Sequence, residues 1–157
     1  MKKKLEIVKT IPQHFKDIEI QEAQAFCREP FETNPNYAIL LCEQGFTRTG
    51  IAEDGTIVGI MGLLFNHANS ASGWGILSPH FKKYIRQAIP AVKEVLASYS
   101  HINRIEVSAS VKFPEAHKLL TKSFGFKPEA ILEKYDILGH DHILYTRIAN
   151  SIEWEMK

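Results

Sequence analysis

The sequence predicts an α/β domain in which strands and helices interleave along one chain, and three observations carry that reading. Asp54-Gly55 separates FTRTGIAE from TIVGIMGLLF, two apolar-rich strand patterns around a dipeptide that tolerates a two-residue hairpin turn. Beyond Phe81 the apolar period lengthens: Ile85, Ala88, Ile89, Val92, Val95, Leu96 and Tyr99 fall on one face of a helix. Residues 104–111, RIEVSASV, alternate strictly, with Ile105, Val107, Ala109 and Val111 on one side and Arg104, Glu106, Ser108 and Ser110 on the other. The chain has 157 residues, 45% hydrophobic and 24% charged, enough for one core and short for two. A single domain over 1–157 is expected.

The remaining elements follow in order. Residues 5–9 read as a first strand, and Phe15, Ile18, Ala23 and Phe26 as a rough helical stripe, in one piece or two, ending near residue 28. Ala38, Leu40 and Leu41 mark a short helix with Asn34 as its cap, Pro35 in its first turn and Gly45 past its end. After a polar loop over 67–72, GWGILS reads as the third strand of a meander ending at Pro79. Pro90 removes a backbone donor inside the long helix and predicts a kink. Pro114 opens a helix that buries Ala116, Leu119, Leu120 and Phe124, with Gly125 as its left-handed cap. Two closing strands, AILEKYDIL and HILYTRIA, join around residues 139–141.

Composition narrows the function classes. Nineteen basic and eighteen acidic residues leave a charge of +1, so no overall field draws nucleic acid or an anionic membrane, and no aromatics interleave with a basic patch. The longest apolar run, residues 57–65, is too short to span a bilayer and is broken by Gly59 and Gly62. Lys2 to Lys4 lead directly into an alternating segment rather than the apolar stretch of a secretory leader, so a soluble cytoplasmic protein is expected. Cys27 and Cys42 lack metal-ligand spacing and sit in apolar patterns as free thiols. His140-Asp141-His142 is read as a hairpin connection rather than a metal site, since two ligands at a turn do not close a coordination shell.

The order strand, helices, three-strand meander, long helix, strand, helix, strand pair resembles the GNAT superfamily of N-acetyltransferases over nearly the whole chain. The residues that carry the resemblance are Ser78-Pro79-His80-Phe81-Lys82, Arg104-Ile105-Glu106-Val107, Phe124-Gly125-Phe126 and the closing segment 141–148. Their wording is also similar to GNAT-like proteins of tailed bacteriophages, which would place the protein in host cytoplasm or a virion. The resemblance implies a mixed, mostly antiparallel sheet of six to seven strands, helices on both faces and a splay between strands four and five. It also implies acetyl-CoA as cofactor and an amine, on a small molecule or a protein, as acceptor.

In such a fold Gly75, Ile76 and Leu77 would offer backbone to the pantetheine. The first turn after the fourth strand, Ser78 to Tyr84, would receive the pyrophosphate. The glycine-rich family loop is replaced, with Lys83 and Ile85 where glycines are expected, so Lys82, Lys83 and Arg86 would hold phosphates by charge or the site has been abandoned. Glu106, on the polar face of its strand, is the first candidate for the base, its bland alternative being a pair with Arg104. The position where many GNAT enzymes carry an acidic Tyr is Thr121, so Tyr135 or a water would substitute, with Ser110 as a fallback, or the protein does not protonate the thiolate. His80 and His117 lie nearest the site by this mapping. A homodimer through an exposed final strand containing Tyr145 and Arg147 is a further expectation. The rival function is a GNAT-like binding or structural protein without chemistry.

Overall fold

The computed structural model describes residues 4–149. Seven strands form one sheet in the order β1-β2-β3-β4-β5-β7-β6. These are β1 (Leu5–Lys9), β2 (Phe46–Ala52), β3 (Ile57–His67), β4 (Ser70–Leu77), β5 (Arg104–Ser110), β6 (Lys127–Leu132) and β7 (His142–Ile148). Every pairing is antiparallel except β4 with β5. Helices α1 (Pro12–Asp17), α2 (Arg28–Thr33) and α3 (Tyr37–Glu43), with a 3-10 segment over Glu22–Cys27, accompany the first half of the chain; α4 (Ile85–Ser98) and α5 (Pro114–Lys118) accompany the second.

Strand alternation sends side chains into two cores. Leu63, Ala71, Ile105, Ala109 and Tyr145 pack with Leu96 of α4 and Phe126, whereas Ile57, Ile60 and Ile76 pack with Phe15, Ile18 and Leu41. Ile60 and Ile105 are at most 1% exposed, and burying such a side chain stabilises by about 1.5–3 kcal/mol. Gly62 permits one close approach: a Cβ there would stand 2.4 Å from the Trp74 ring.

Several expected boundaries shift for local reasons. The β2–β3 turn has three residues, not two: Gly55 donates to the Ala52 carbonyl at 2.9 Å, the Ala52 amide to the Thr56 carbonyl at 2.9 Å, and Gly55 alone takes positive φ. β4 begins at Ser70, so the predicted loop shrinks to residues 68–69. Asn36, not Asn34, precedes α3, and the Asn34 side chain accepts the Asn36 amide at 3.0 Å. Pro90 lies on an exposed position inside an unbroken α4; the departure from helical geometry is at Tyr84 (φ −115, ψ 8), between a short 3-10 turn, Phe81–Tyr84, and α4.

The C-terminal elements depart further. After α5 the helix widens into a π-turn, Leu119–Ser123, closed by the Phe124 amide on the Leu119 carbonyl at 3.0 Å, and Gly125 (φ 73) ends it. Residues 133–141, partly read as strand, wrap instead around Asp136. Its carboxylate accepts the amides of Leu138 (3.0 Å) and His140 (3.1 Å) and the ring of His142 (2.9 Å), a local alternative to ladder pairing. β7 is not an exposed strand, since β5 and β6 flank it; the outer edge belongs to β6. Tyr145 is buried, and Arg147 reaches across to the end of α4, donating to the Leu96 and Tyr99 carbonyls at 3.0 and 3.4 Å. Tyr99 also meets Phe46 and Phe65, with ring centroids 5.6 and 5.5 Å away.

Candidate functional site

β4 and β5 pair only at Ser70 with Arg104, Ala71 with Ile105 and Ser72 with Glu106. Beyond those pairs they part, and glycine marks the parting: a Cβ on Gly73 would come within 2.8 Å of Val107 Cγ2, while one on Gly75 would meet nothing nearer than 3.8 Å. The gap opens a cavity of about 170 Å³, walled by Gly75 and Leu77 of β4, Ser108 and Ser110 of β5, Leu96 of α4 and Leu120 beyond α5. Gln24 and Phe26 close it from the opposite side of the sheet. A wider mouth of about 460 Å³ shares Leu77, Phe81, Phe113 and Leu119 with the cavity and carries Lys82, Lys118 and Lys122.

The backbone edge of β4 in this gap is chemically specific. The Ser78 amide donates to Val58 of β3, so even-numbered main-chain groups near this end turn toward β3 and those of Gly75 and Leu77 face the gap. The Gln24 carboxamide spans them, Nε2 donating to the Gly75 carbonyl at 2.7 Å and Oε1 accepting the Leu77 amide at 2.7 Å. Gln21 Nε2 adds a bond to the Leu77 carbonyl at 3.2 Å. The edge thus holds an amide by one donor and one acceptor, the pairing a ligand's amide requires.

The residues expected to bind a cofactor divide. Gly75 and Leu77 line the cavity, whereas Ile76 turns to the opposite core beside Ile60. Ser78 and Lys82 line the mouth; Lys83, Tyr84 and Arg86 do not. Ile85 stands in the mouth where the family pattern has glycine. The first-turn amides are largely committed, His80 to Ser78 Oγ (3.2 Å), Phe81 to the Ser78 carbonyl (3.1 Å) and Lys83 to the His80 carbonyl (3.1 Å). Positive charge at the mouth comes from side chains, and Glu115, 3.5 Å from Lys82, takes part of it. Burial and Lys82 act oppositely on Glu115, but its own backbone amide is the largest influence and its carboxyl lies below the ordinary range.

Of the candidates for chemistry, Ser110 alone lines the cavity; it is buried and its Oγ accepts the Lys112 amide at 3.2 Å. Glu106 pairs with Arg104 through one oxygen, Oε2, at 3.0–3.1 Å, and Arg104 also holds Glu129 at 2.8–2.9 Å. Tyr135 sits on the 133–141 turn, 56% exposed, its ring 4.9 Å from that of His142. The Thr121 hydroxyl donates to the His117 carbonyl at 2.8 Å. His80 pairs with Glu19 at 3.5 Å on the surface.

Sequence reasoning named His117, Tyr145, His142 and Cys27 without their partners, and it missed Asp136. His117 Nε2 faces the Ser110 carbonyl at 2.8 Å and must donate to it, so Nδ1 accepts the Tyr145 hydroxyl at 2.5 Å. Burial raises the Tyr145 pKa. His142 and Asp136 form a buried pair behind Phe26, and His142 Nδ1 has no partner among the described residues. Burial pushes the Asp136 carboxyl up, but the bonds from His142, His140 and Leu138 together hold it below the ordinary value. Burial, with Asp136 adding to it, pushes the Cys27 thiol up to about 12. The triplet 140–142 is divided: His142 turns to Asp136 while Asp141 accepts the Lys134 amide at 2.8 Å. Alternation could have placed Tyr145 and His142 on opposite faces; only the fold shows their partners.

No protein-family model matches the sequence, and no curated protein matches it. Solved structures do. A GNAT-family acetyltransferase from Bacillus anthracis is 14% identical, with 94% of this chain and 96% of that chain covered and a TM-score of 0.66. The ribosomal-protein-S5-alanine acetyltransferase from Vibrio fischeri is 14% identical, with 98% and 96% covered and a TM-score of 0.61. A GNAT-superfamily phosphinothricin acetyltransferase from Sinorhizobium meliloti, in complex with acetyl-CoA, is 11% identical, with 95% and 89% covered and a TM-score of 0.64. At these identities the likeness is one of fold, and the fold is the GNAT fold. No helix among the described residues is long and apolar enough to cross a membrane.

Proposed function

We propose that this protein is an N-acetyltransferase that takes an acetyl group from acetyl-CoA and passes it to an amine of a small molecule or a protein. The observation that carries the reading is the parting of β4 from β5 after three residue pairs, which leaves an edge matched to an amide above a lysine-bearing mouth. Gly75 and Leu77 would hold the amide portion of the cofactor, and Lys82, Lys118 and Lys122 its phosphates. Bound there, the cofactor supplies the thioester that activates the acetyl group. The apolar walls of the cavity exclude water from it.

An attacking amine must lose a proton, and Glu106, which lies outside the cavity lining and would be reached through solvent, is the acceptor in this reading. Both Arg104 bonds land on Oε2, which leaves Oε1 free to receive it. A homodimer, if formed by strand pairing, would use an outer edge of the sheet, β1 or β6. Titration calorimetry tests the cofactor: saturable one-to-one binding of acetyl-CoA is expected, and no heat at millimolar ligand would overturn the proposal. With an acceptor in hand, Glu106→Gln should lower kcat by about a hundredfold or more with little change in cofactor affinity.

A second reading, a binding protein without chemistry, draws on one specific observation: Thr121 spends its hydroxyl proton on a helix carbonyl and offers none to a departing thiolate. Acetyl-CoA binding without turnover of any amine, unchanged by Glu106→Gln, would favour it.

A further inference from the structure

We propose that Gln24 is a resident competitor for the amide-binding edge of β4, so that only a ligand able to replace both of its hydrogen bonds enters the cleft. This rests on the acetyl-CoA reading above. The carboxamide is 2.7 Å from each of its partners, and only one orientation of its oxygen and nitrogen satisfies both the Gly75 carbonyl and the Leu77 amide. The residue is 8% exposed, and its backbone (φ −114, ψ 21) breaks the helical geometry of the surrounding 3-10 segment. Gln24 is therefore laid along β4 where a neighbouring strand would run, and Gln21 extends the cover to the Leu77 carbonyl.

Selectivity follows from hydrogen-bond accounting. A ligand that displaces Gln24 must bring a carbonyl for the Leu77 amide and an N–H for the Gly75 carbonyl, or leave two part-buried main-chain groups unpaired. Amide-bearing acyl carriers meet that demand. Acyl donors without an amide do not, and the closed arrangement persists against them. The same contact keeps the cleft shut until a carrier arrives, with the affinity of the carrier lowered by the bonds it must break.

The experiment compares wild type, Gln24→Ala and Gln24→Glu by titration calorimetry with acetyl-CoA, S-acetylpantetheine and adenosine 3′,5′-bisphosphate. Gln24→Ala should bind the two amide-bearing ligands about tenfold tighter than wild type, with the bisphosphate unchanged. Gln24→Glu, which keeps an acceptor for Leu77 but has no donor for Gly75, should fall between. Equal affinities across the three proteins would overturn the competitor role and leave the cofactor reading standing. Absence of binding by all three proteins would overturn both, and an equal gain for the bisphosphate would move the effect away from this edge and overturn the proposal. In wild type, independent of any variant's folding, the side-chain amide signals of Gln24 should shift on saturation with acetyl-CoA; signals that stay put with the ligand bound would overturn it.

Discussion

Strands β1–β4 and strands β5–β7 form one sheet, yet the face that α1–α3 cover is held by different forces in the two halves. In the first half Ile57, Ile60 and Ile76 pack on Phe15 and Leu41, and Trp74 lies flat over Gly62. In the second half the same face presents Glu106, Ser108, Ser110, His142 and Thr146, tied by Arg104 to two glutamates and by Asp136 to a histidine. Apolar packing is indifferent to pH and sensitive to shape, while the polar half depends on protonation and on each partner being present. The cleft lies along the border between them, with apolar walls and a backbone edge that only polar groups satisfy.

The largest expected effect tests shape. Gly62→Val would drive a side chain into the Trp74 ring, and chemical denaturation should show a loss of about 3 kcal/mol at unchanged denaturant slope. A shift under 1 kcal/mol would mean that the tryptophan can move aside and the first half is looser than its packing indicates.

Next comes the polar half. Asp136→Ala strands a buried histidine nitrogen and two turn amides, an expected loss of about 2–3 kcal/mol. Because the folded carboxyl lies below its unfolded value of 3.8, its contribution is present above about pH 4 and disappears as pH falls further. Acid denaturation of the variant should therefore be flatter than that of wild type below pH 4, and identical acid profiles would remove Asp136 from its assigned role.

The smallest effect sharpens the comparison at its border. The Cys27 thiol, raised from 9.0 to about 12, favours the fold up to about pH 9; that contribution declines as the unfolded chain ionises, and it is gone near pH 12. Cys27→Ala should lack this alkaline decline, and thiol reagents should modify native Cys27 far more slowly than the unfolded chain. Rapid labelling of the native protein at neutral pH would contradict the partial burial that raises its thiol pKa.

The fold was legible where periodicity governs. The alternation of 104–111, the helix beyond Phe81 and the hairpin around residues 54–55 all rest on local patterns; the structure has the strand, the helix from Ile85 and the hairpin, the last with a three-residue turn. Legibility failed at 133–138, where apolar residues suggest a strand but the Asp136 carboxylate draws the backbone into a turn. The parting of the strands came from family resemblance rather than from spacing, although Gly73 and Gly75 mark it. Gln24 gave no signal, because its meaning lies in contacts 51 and 53 residues away. Lys118 and Lys122 reach the mouth from the helical segment after β5, which no local pattern links to the loop after β4.

Tyr99, at the end of α4, touches Phe46 and Phe65 through its ring, while Arg147 grips the carbonyls of that same final turn. One helical turn therefore acts as a splice between two half-sheets whose own seam is only three rungs long. Fraying there would remove one tie across the seam and leave the shared core of Leu63, Ala71, Ile105 and Leu96 as the other, so the cleft would loosen before secondary structure is lost.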